Sequence, residues 1–186
     1  MKHIESVVLK DKKFELYKIN QFETYILKKL HSKIIKDVPL EFDSPYNYTK
    51  FKKDIRFKEE YLFLLYFKKI PVAYCRINIC NINPHPKNIA YLVKHHQVRK
   101  EELNKICNVD GAGVISKYRG LGIQDYFLKF RERFAKQKGY KYLFTACHPK
   151  NKFSMKNIKK NNYKKVYIYK NHKGVDRVLF KKEIAN

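Results

Sequence analysis

Two glycines one residue apart, Gly120 and Gly122, stand directly ahead of a segment with helical periodicity, in the run Lys117-Tyr118-Arg119-Gly120-Leu121-Gly122-Ile123-Gln124. Glycine admits positive φ and lets backbone N–H groups come close to an anion. The first N–H groups of a helix have no partner inside it, and the aligned peptide dipoles put about half a positive charge there. A strand, a glycine turn and a helix start, in that order, are therefore the parts of a phosphate cradle. The same two glycines could merely shape a tight turn. The spacing is too short for GxGxxG, and no Lys-Ser or Lys-Thr pair follows, so dinucleotide and P-loop patterns are both excluded.

Other reactive side chains are less organised. Cys75, Cys80, Cys107 and Cys147 form no CxxC pair. With no secretory leader evident after Met1, their scatter favours reduced thiols over a disulfide framework. The near neighbours His95-His96 and Cys147-His148 would point to opposite faces of a strand, so no metal site is expected. The same geometry argues against a Cys–His nucleophile pair at 147–148.

The elements that must position the glycine turn follow from periodicity. The 186-residue chain is 44% hydrophobic, enough for one domain with a real core, and no linker or repeat divides it. Residues 4–9 alternate weakly, as a first strand. From Glu15 to Lys36 apolar residues at Leu16, Ile19, Phe22, Ile26, Leu27, Leu30 and Ile34 predict an amphipathic helix. Ser44-Pro45 opens a second helical segment. Tyr61–Phe67 and Val72–Ile79 read as strands joined by a hairpin at Lys68–Pro71, residues 81–86 as a loop, and Arg99–Leu103 as helical. Then come a strand over Cys107–Ser116, the glycine turn, a helix over Ile123–Lys138 closed by Gly139, and a strand over Tyr142–Cys147. A short helix from Pro149 to Lys160 and two strands, Tyr163–Tyr169 and Arg177–Lys182, complete the chain. A βαβ unit with a hairpin-like ending implies a mixed sheet of the α/β (α+β) class.

On these residues the sequence resembles the GNAT superfamily of N-acetyltransferases. Val114-Ile115-Ser116-Lys117-Tyr118-Arg119-Gly120-Leu121-Gly122-Ile123-Gln124 is similar to the family's V-x-P-x-Y-R-G-x-G-[IL]-[GA] motif. Asn151-Lys152-Phe153-Ser154 stands where the family has N-x-x-A or N-x-x-S, and Asn161-Asn162-Tyr163 where a helix ends in G-F. The resemblance is carried by residues 107–183, with the cofactor motifs inside 107–163. It implies a single domain over 1–186, built on a twisted central sheet flanked by helices, whose strands splay at the cofactor. It also implies acetyl-CoA as co-substrate. In that reading the amides of Arg119, Gly120, Leu121, Gly122, Ile123 and Gln124 hold the pyrophosphate. The backbone around Val114, Ile115 and Ser116 bonds the pantetheine arm, and Asn151 and Ser154 approach the cofactor from the other side. Gln124 departs from the family's small residue, and Ser116 from its proline.

The implied reaction is direct transfer of an acetyl group to a primary amine of a small molecule, peptide or protein. A lysine-like amine has a pKa near 10.4, so freeing it at pH 7 costs about 4.6 kcal/mol. A carboxylate is the usual helper, and Asp110, with the same strand parity as Val114, is the candidate base. It could equally be a turn residue before Gly111. The tyrosine with which the family protonates the leaving thiolate falls here at Ile158, which cannot donate, so the acid is unassigned. That gap keeps open an acyl-CoA-binding protein without turnover.

The net charge of +25 keeps open a third reading, a basic protein associated with nucleic acid or the ribosome. The lysines are dispersed, however, and abundant Lys, Asn, Ile and Tyr without Trp fit an AT-rich coding habit and a solvated surface. No apolar run approaches the roughly 20 residues of a membrane span. The expectations are a cytoplasmic protein, monomeric or homodimeric, with no membrane partner.

Overall fold

The computed structural model describes residues 1–42, 60–79, 94, 97–109, 111–171 and 173–184. The first strands are two hairpins. β1 (Lys2–Leu9) and β2 (Lys12–Ile19) are joined through Lys10 and Asp11, and β3 (Glu60–Phe67) and β4 (Ile70–Ile79) through Lys68 and Lys69. All four turn residues have positive φ, between 44° and 66°, as the tight loops that match strand twist require.

The helix expected from Glu15 is shorter. Leu16 and Ile19 lie on β2, which is paired on both sides, to β1 and to β3. The burial of Phe14 and Leu16 follows strand alternation, and pairing on two edges outweighs a helical spacing that Leu16 and Ile19 happen to share. The overlooked signal is Asn20. Its side chain accepts from the Phe22 N–H, while Glu23 accepts from the Asn20 N–H, a capping box that starts a 3₁₀ turn. Only then does α1 (Thr24–Ile34) begin, leaving Phe22 exposed and Leu27, Leu30 and Ile34 buried. The second helix expected at Ser44-Pro45 and the loop at 81–86 lie outside the described residues.

The strand expected at Cys107–Ser116 is two pieces. β5 (Ile106–Asn108) runs parallel to β7 (Tyr142–Cys147) and also pairs with β4, whereas β6 (Ala112–Val114) pairs with β4 alone. Between β6 and β7 comes α2 (Ile123–Gln137), ended by Gly139 at φ 78°. After β7 come α3 (Lys152–Lys160), β8 (Lys164–Lys170) and β9 (Asp176–Glu183). Among the described residues the strands form one mixed sheet in the order β1-β2-β3-β4-β5-β7-β9-β8, with β6 off that path on β4. β5–β7 is parallel and the other pairs are antiparallel.

The side chains of each strand divide between two faces. Phe63, Leu65, Cys75, Cys107, Leu143 and Phe180 turn to α2 and α3, where they meet Phe127, Phe130 and Ile158. Leu62, Leu64 and Tyr74 turn the other way, onto α1. Farther along that second face, Ile106, Tyr142, Phe144 and Leu179 pack with Val98 and Leu103. Among the described residues no helix is long and apolar enough to cross a membrane.

One buried carboxylate pins the 3₁₀ segment Lys100–Lys105 to the sheet. Glu102, 4% exposed, accepts from Arg99 Nε at 3.0 Å, Tyr142 Oη at 2.8 Å and Lys141 Nζ at 3.1 Å. These bonds, Arg99's foremost, hold its carboxyl well below the usual range. A lowered folded value means that its contribution is fully present above the unfolded value of about 4.3 and is lost as pH falls through the folded one. Glu102→Gln is therefore expected to melt below the wild type at pH 7, with the gap shrinking on acidification. Thermal unfolding between pH 7 and 3 checks this, and a gap independent of pH contradicts it.

Candidate functional site

The site begins where the strand changes neighbours. Ile106–Asn108 pairs with β7, and the Val109 N–H still donates to the Phe144 carbonyl at 2.8 Å. Gly111, at φ 72°, then presents its carbonyl to the Arg76 N–H of β4, and Ile115 donates to the Val72 carbonyl at 3.0 Å. Alternation along an antiparallel ladder turns the N–H and C=O of Ala112 and Val114 the other way. They face a gap, on whose far side Thr145–Cys147 continue β7 and pair with β9. The Val109 carbonyl, left between the two ladders, is taken by Arg131 Nη1 and by Thr145 Oγ1 at 3.5 Å. Arg131 is buried in α2 and also donates from Nε to the Phe127 carbonyl at 3.2 Å.

The gap opens into a cleft of about 120 Å³ that passes through the sheet. Leu128, Arg131, Thr145 and Ile158 line it from the α2–α3 face. Tyr74, Phe42 and Arg177 line it from the α1 face. Arg177, 5% exposed, is anchored by carbonyls of Glu41 at 2.9 Å and Asp176 at 3.0 Å.

The glycine turn stands at one end of β6. Gly120 and Gly122 have φ of 77° and 83°, and a Cβ on either would meet nothing within 4 Å. Their need for glycine is conformational, and the space above them is open. Gly122 is the cap of α2 and supplies no side-chain acceptor, so the first-turn amides of a 15-residue helix are left for an external partner. The Arg119 side chain folds back, donating from Nε to the Val114 carbonyl at 3.2 Å and from Nη1 to the Asp37 carbonyl at 3.3 Å. Ser116 Oγ donates to Asp37 Oδ2 at 2.5 Å. The strand end and the turn are thus tied to the segment following α1.

Gln124, which departs from the family's small residue, reaches across to α3. Its Nε2 donates to Ser154 Oγ at 3.1 Å and its Oε1 accepts from Asn157 Nδ2 at 2.9 Å. Asp125 accepts from Asn161 Nδ2 at 2.8 Å and pairs with Lys129 at 3.0 Å. Burial pushes the Asp125 carboxyl upward, but the bonds from Lys129 and Asn161 outweigh it and hold the group below its ordinary value. Asn151 caps α3 by accepting from the Ser154 N–H at 3.1 Å. Asn162 takes the left-handed position after α3 at φ 63°.

The cleft therefore brings together Gln124, Asn151 and Ser154, with the open edge of β6 beside them. Lys117 stands apart as an exposed cation. Asp110 lies outside the described residues, and the parity that linked it to Val114 does not run through Gly111, where φ is 72°. Ile158 is 3% exposed and lines the cleft as an apolar wall. Cys147 Sγ lies 3.3 Å from Met155 Sδ, whereas His148 stacks on Phe42 and accepts from the Lys150 N–H. The two side chains thus serve different neighbours. Burial pushes the Cys75 thiol up to about 12, against the pull of Arg131, leaving it a core group.

Sequence reasoning passed over Tyr74, His31, Arg131 and Arg177. Tyr74 sits inside an apolar strand run and Arg131 mid-helix, and neither position carries a local signal. His31, 5% exposed on α1, has Nδ1 3.0 Å from Tyr74 Oη.

No protein-family model matches the sequence, and no curated protein is similar to it at the sequence level. Solved structures are similar in fold. One is the GNAT domain of S. lividans PAT, with 14% identity, 97% of this chain and 96% of that one covered, and a TM-score of 0.70. The PaiA N-acetyltransferase of Thermoplasma acidophilum in complex with coenzyme A gives 13% identity, coverage of 92% and 99%, and a TM-score of 0.66. The ribosomal-protein-S18-alanine N-acetyltransferase of Escherichia coli gives 10%, 93% and 95%, and 0.67. The chain has the GNAT fold. In this GNAT sheet the gap is kept by one further glycine. A Cβ on Gly113 would lie 2.5 Å from the Tyr74 ring and 3.1 Å from Ile34. Gly113→Ala is expected to destabilise the protein by about 1–3 kcal/mol through overpacking. Denaturant unfolding measures this, and an unchanged midpoint contradicts it.

Proposed function

We propose that this chain, as a single GNAT-type domain over 1–186, transfers an acetyl group from acetyl-CoA directly to a primary amine. The observation that carries the reading is the edge of β6 that no strand among the described residues pairs with, beside a helix N-terminus opened by Gly120 and Gly122. In it the amides of the turn from Arg119 to Gln124 receive the pyrophosphate, where the helix dipole favours negative charge. The pantetheine arm lies along Ala112, Val114, Ile115 and Ser116 and acts as a short strand in the gap. Asn151 and Ser154 approach it from α3. The through-sheet cleft lets donor and acceptor enter from opposite faces, and the thioester meets the amine beside the strand interruption. Asp110 is the candidate base.

Two features favour variants of this reading. The buried Ile158, in place of a proton donor, favours an acyl-CoA-binding protein without turnover. The charge of +25 favours an acceptor held on an acidic partner, such as a nucleic-acid-bound or ribosomal protein.

Calorimetry with acetyl-CoA separates the first two from no function of this kind. The expected result is micromolar binding, weakened at least tenfold in Gly122→Ala. A thiol-release assay with spermine, a lysine-rich peptide and an alanine-terminated peptide then separates the enzyme from the binder. Absence of coenzyme binding refutes the proposal, and binding without thiol release selects the non-catalytic reading.

A further inference from the structure

The cleft holds a pair of titratable side chains that the reading above leaves unused. Tyr74 lines the cleft from β4, and its hydroxyl is 3.0 Å from Nδ1 of His31 on α1. Both residues are buried, at 3% and 5% exposure. The ring of Tyr74 packs against Gly113, whose missing side chain is what admits it. A Cβ there would stand 2.9 Å from Cζ, the carbon that bears the hydroxyl. Gly113 is the strand residue between Ala112 and Val114, the two that turn their backbone groups into the gap. The hydroxyl is thus held over the strand edge along which the acyl donor would lie, on the face opposite Ile158.

We propose that Tyr74 and His31 are the proton shuttle of the acyl transfer, with Tyr74 the catalytic residue and His31 acting through it. The inference rests on the acetyl-transfer reading. The neutral amine nitrogen forms a bond to the thioester carbonyl carbon, giving a tetrahedral adduct with a positively charged nitrogen. That nitrogen gives a proton to the Tyr74 oxygen as the Tyr74 proton passes to His31 Nδ1. Collapse of the adduct breaks the carbon–sulfur bond and expels coenzyme A as a thiolate. The imidazolium returns its proton through Tyr74 to that sulfur, so amide and free thiol leave and both side chains are restored. An imidazole can take up a proton at one step and give it back at another, which is what the sequence of transfers requires. One dyad thereby serves as the base, in place of Asp110, and also as the acid for which position 158 offers no group.

The test uses the full chain with acetyl-CoA and the best amine from the spermine and peptide panel. Tyr74→Phe keeps the ring on Gly113 and removes only the hydroxyl. His31→Gln keeps a hydrogen-bond acceptor for that hydroxyl but cannot carry a proton. Each variant is expected to lose about 100-fold in kcat, the usual scale of general acid–base catalysis. KM and the acetyl-CoA dissociation constant are expected to stay within about threefold. A His31→Gln enzyme with wild-type kcat would show that the bond is structural, and a Tyr74→Phe enzyme with wild-type kcat would remove the shuttle altogether. Should His31→Gln fail to fold, Tyr74→Phe alone decides. A wild type that binds no acetyl-CoA fails the acetyl-transfer reading itself, whereas an active wild type matched by both variants fails only the shuttle.

Discussion

At Val109 a single strand exchanges one neighbour for another. Its N–H still belongs to the ladder with β7, while its carbonyl belongs to neither ladder and is satisfied by the guanidinium of Arg131. Among the described residues Arg131 has no carboxylate partner, and a buried guanidinium in that setting is costly, so a cation at this point is informative. It supplies a charged hydrogen bond to the Val109 carbonyl, which an apolar residue would leave to Thr145 Oγ1 at 3.5 Å alone, and a second to the Phe127 carbonyl. From that arrangement the rest follows. β6 stays on β4, and among the described residues no strand pairs with its other edge. A gap inside a sheet is otherwise unfavourable, because unpaired backbone groups seek a partner.

The glycine turn and the second helix pair are arranged around that opening. Gly120 and Gly122 take backbone conformations that a side chain would strain, and α2 begins at the second of them. Gln124 and Asp125, in the first turn of α2, reach sideways to Ser154, Asn157 and Asn161 on α3. The first turn is therefore steadied through its side chains while its amides remain directed along the helix axis. Arg119 and Ser116 hold the other side of the turn to Asp37. The result is a preorganised cradle on rigid elements, whose geometry a bound anion would not have to create.

Much of this was legible in the sequence, and for identifiable reasons. The turn could be read because glycine at positive φ ahead of a helix is a local requirement. The strands Tyr61–Phe67 and Tyr142–Cys147 could be read because apolar runs of that length between turn residues are also local. What escaped was decided by partners distant in sequence. Leu16 and Ile19 have helical spacing but lie on β2, where Leu16 is paired on both edges and Ile19 with Leu62 of β3. The continuous strand expected at Cys107–Ser116 is broken because Arg131, from the following helix, holds its middle carbonyl. The departure at Gln124 had no local explanation, because its hydrogen-bonding partners lie on α3. The Tyr74–His31 contact joins residues 43 positions apart on different elements, and no spacing rule reaches it.

The central claim is that the edge of β6 and the start of α2 together form one acyl-CoA site. Amide hydrogen exchange, resolved by residue and measured with and without coenzyme A, tests it most directly. The account predicts slowed exchange at Ala112 and Val114, whose N–H groups face the gap, and in the first turn of α2. It predicts no change at Ile115, which already donates to Val72. Coenzyme A that binds while protecting a different surface, and leaves Ala112, Val114 and the α2 start unaltered, would contradict it.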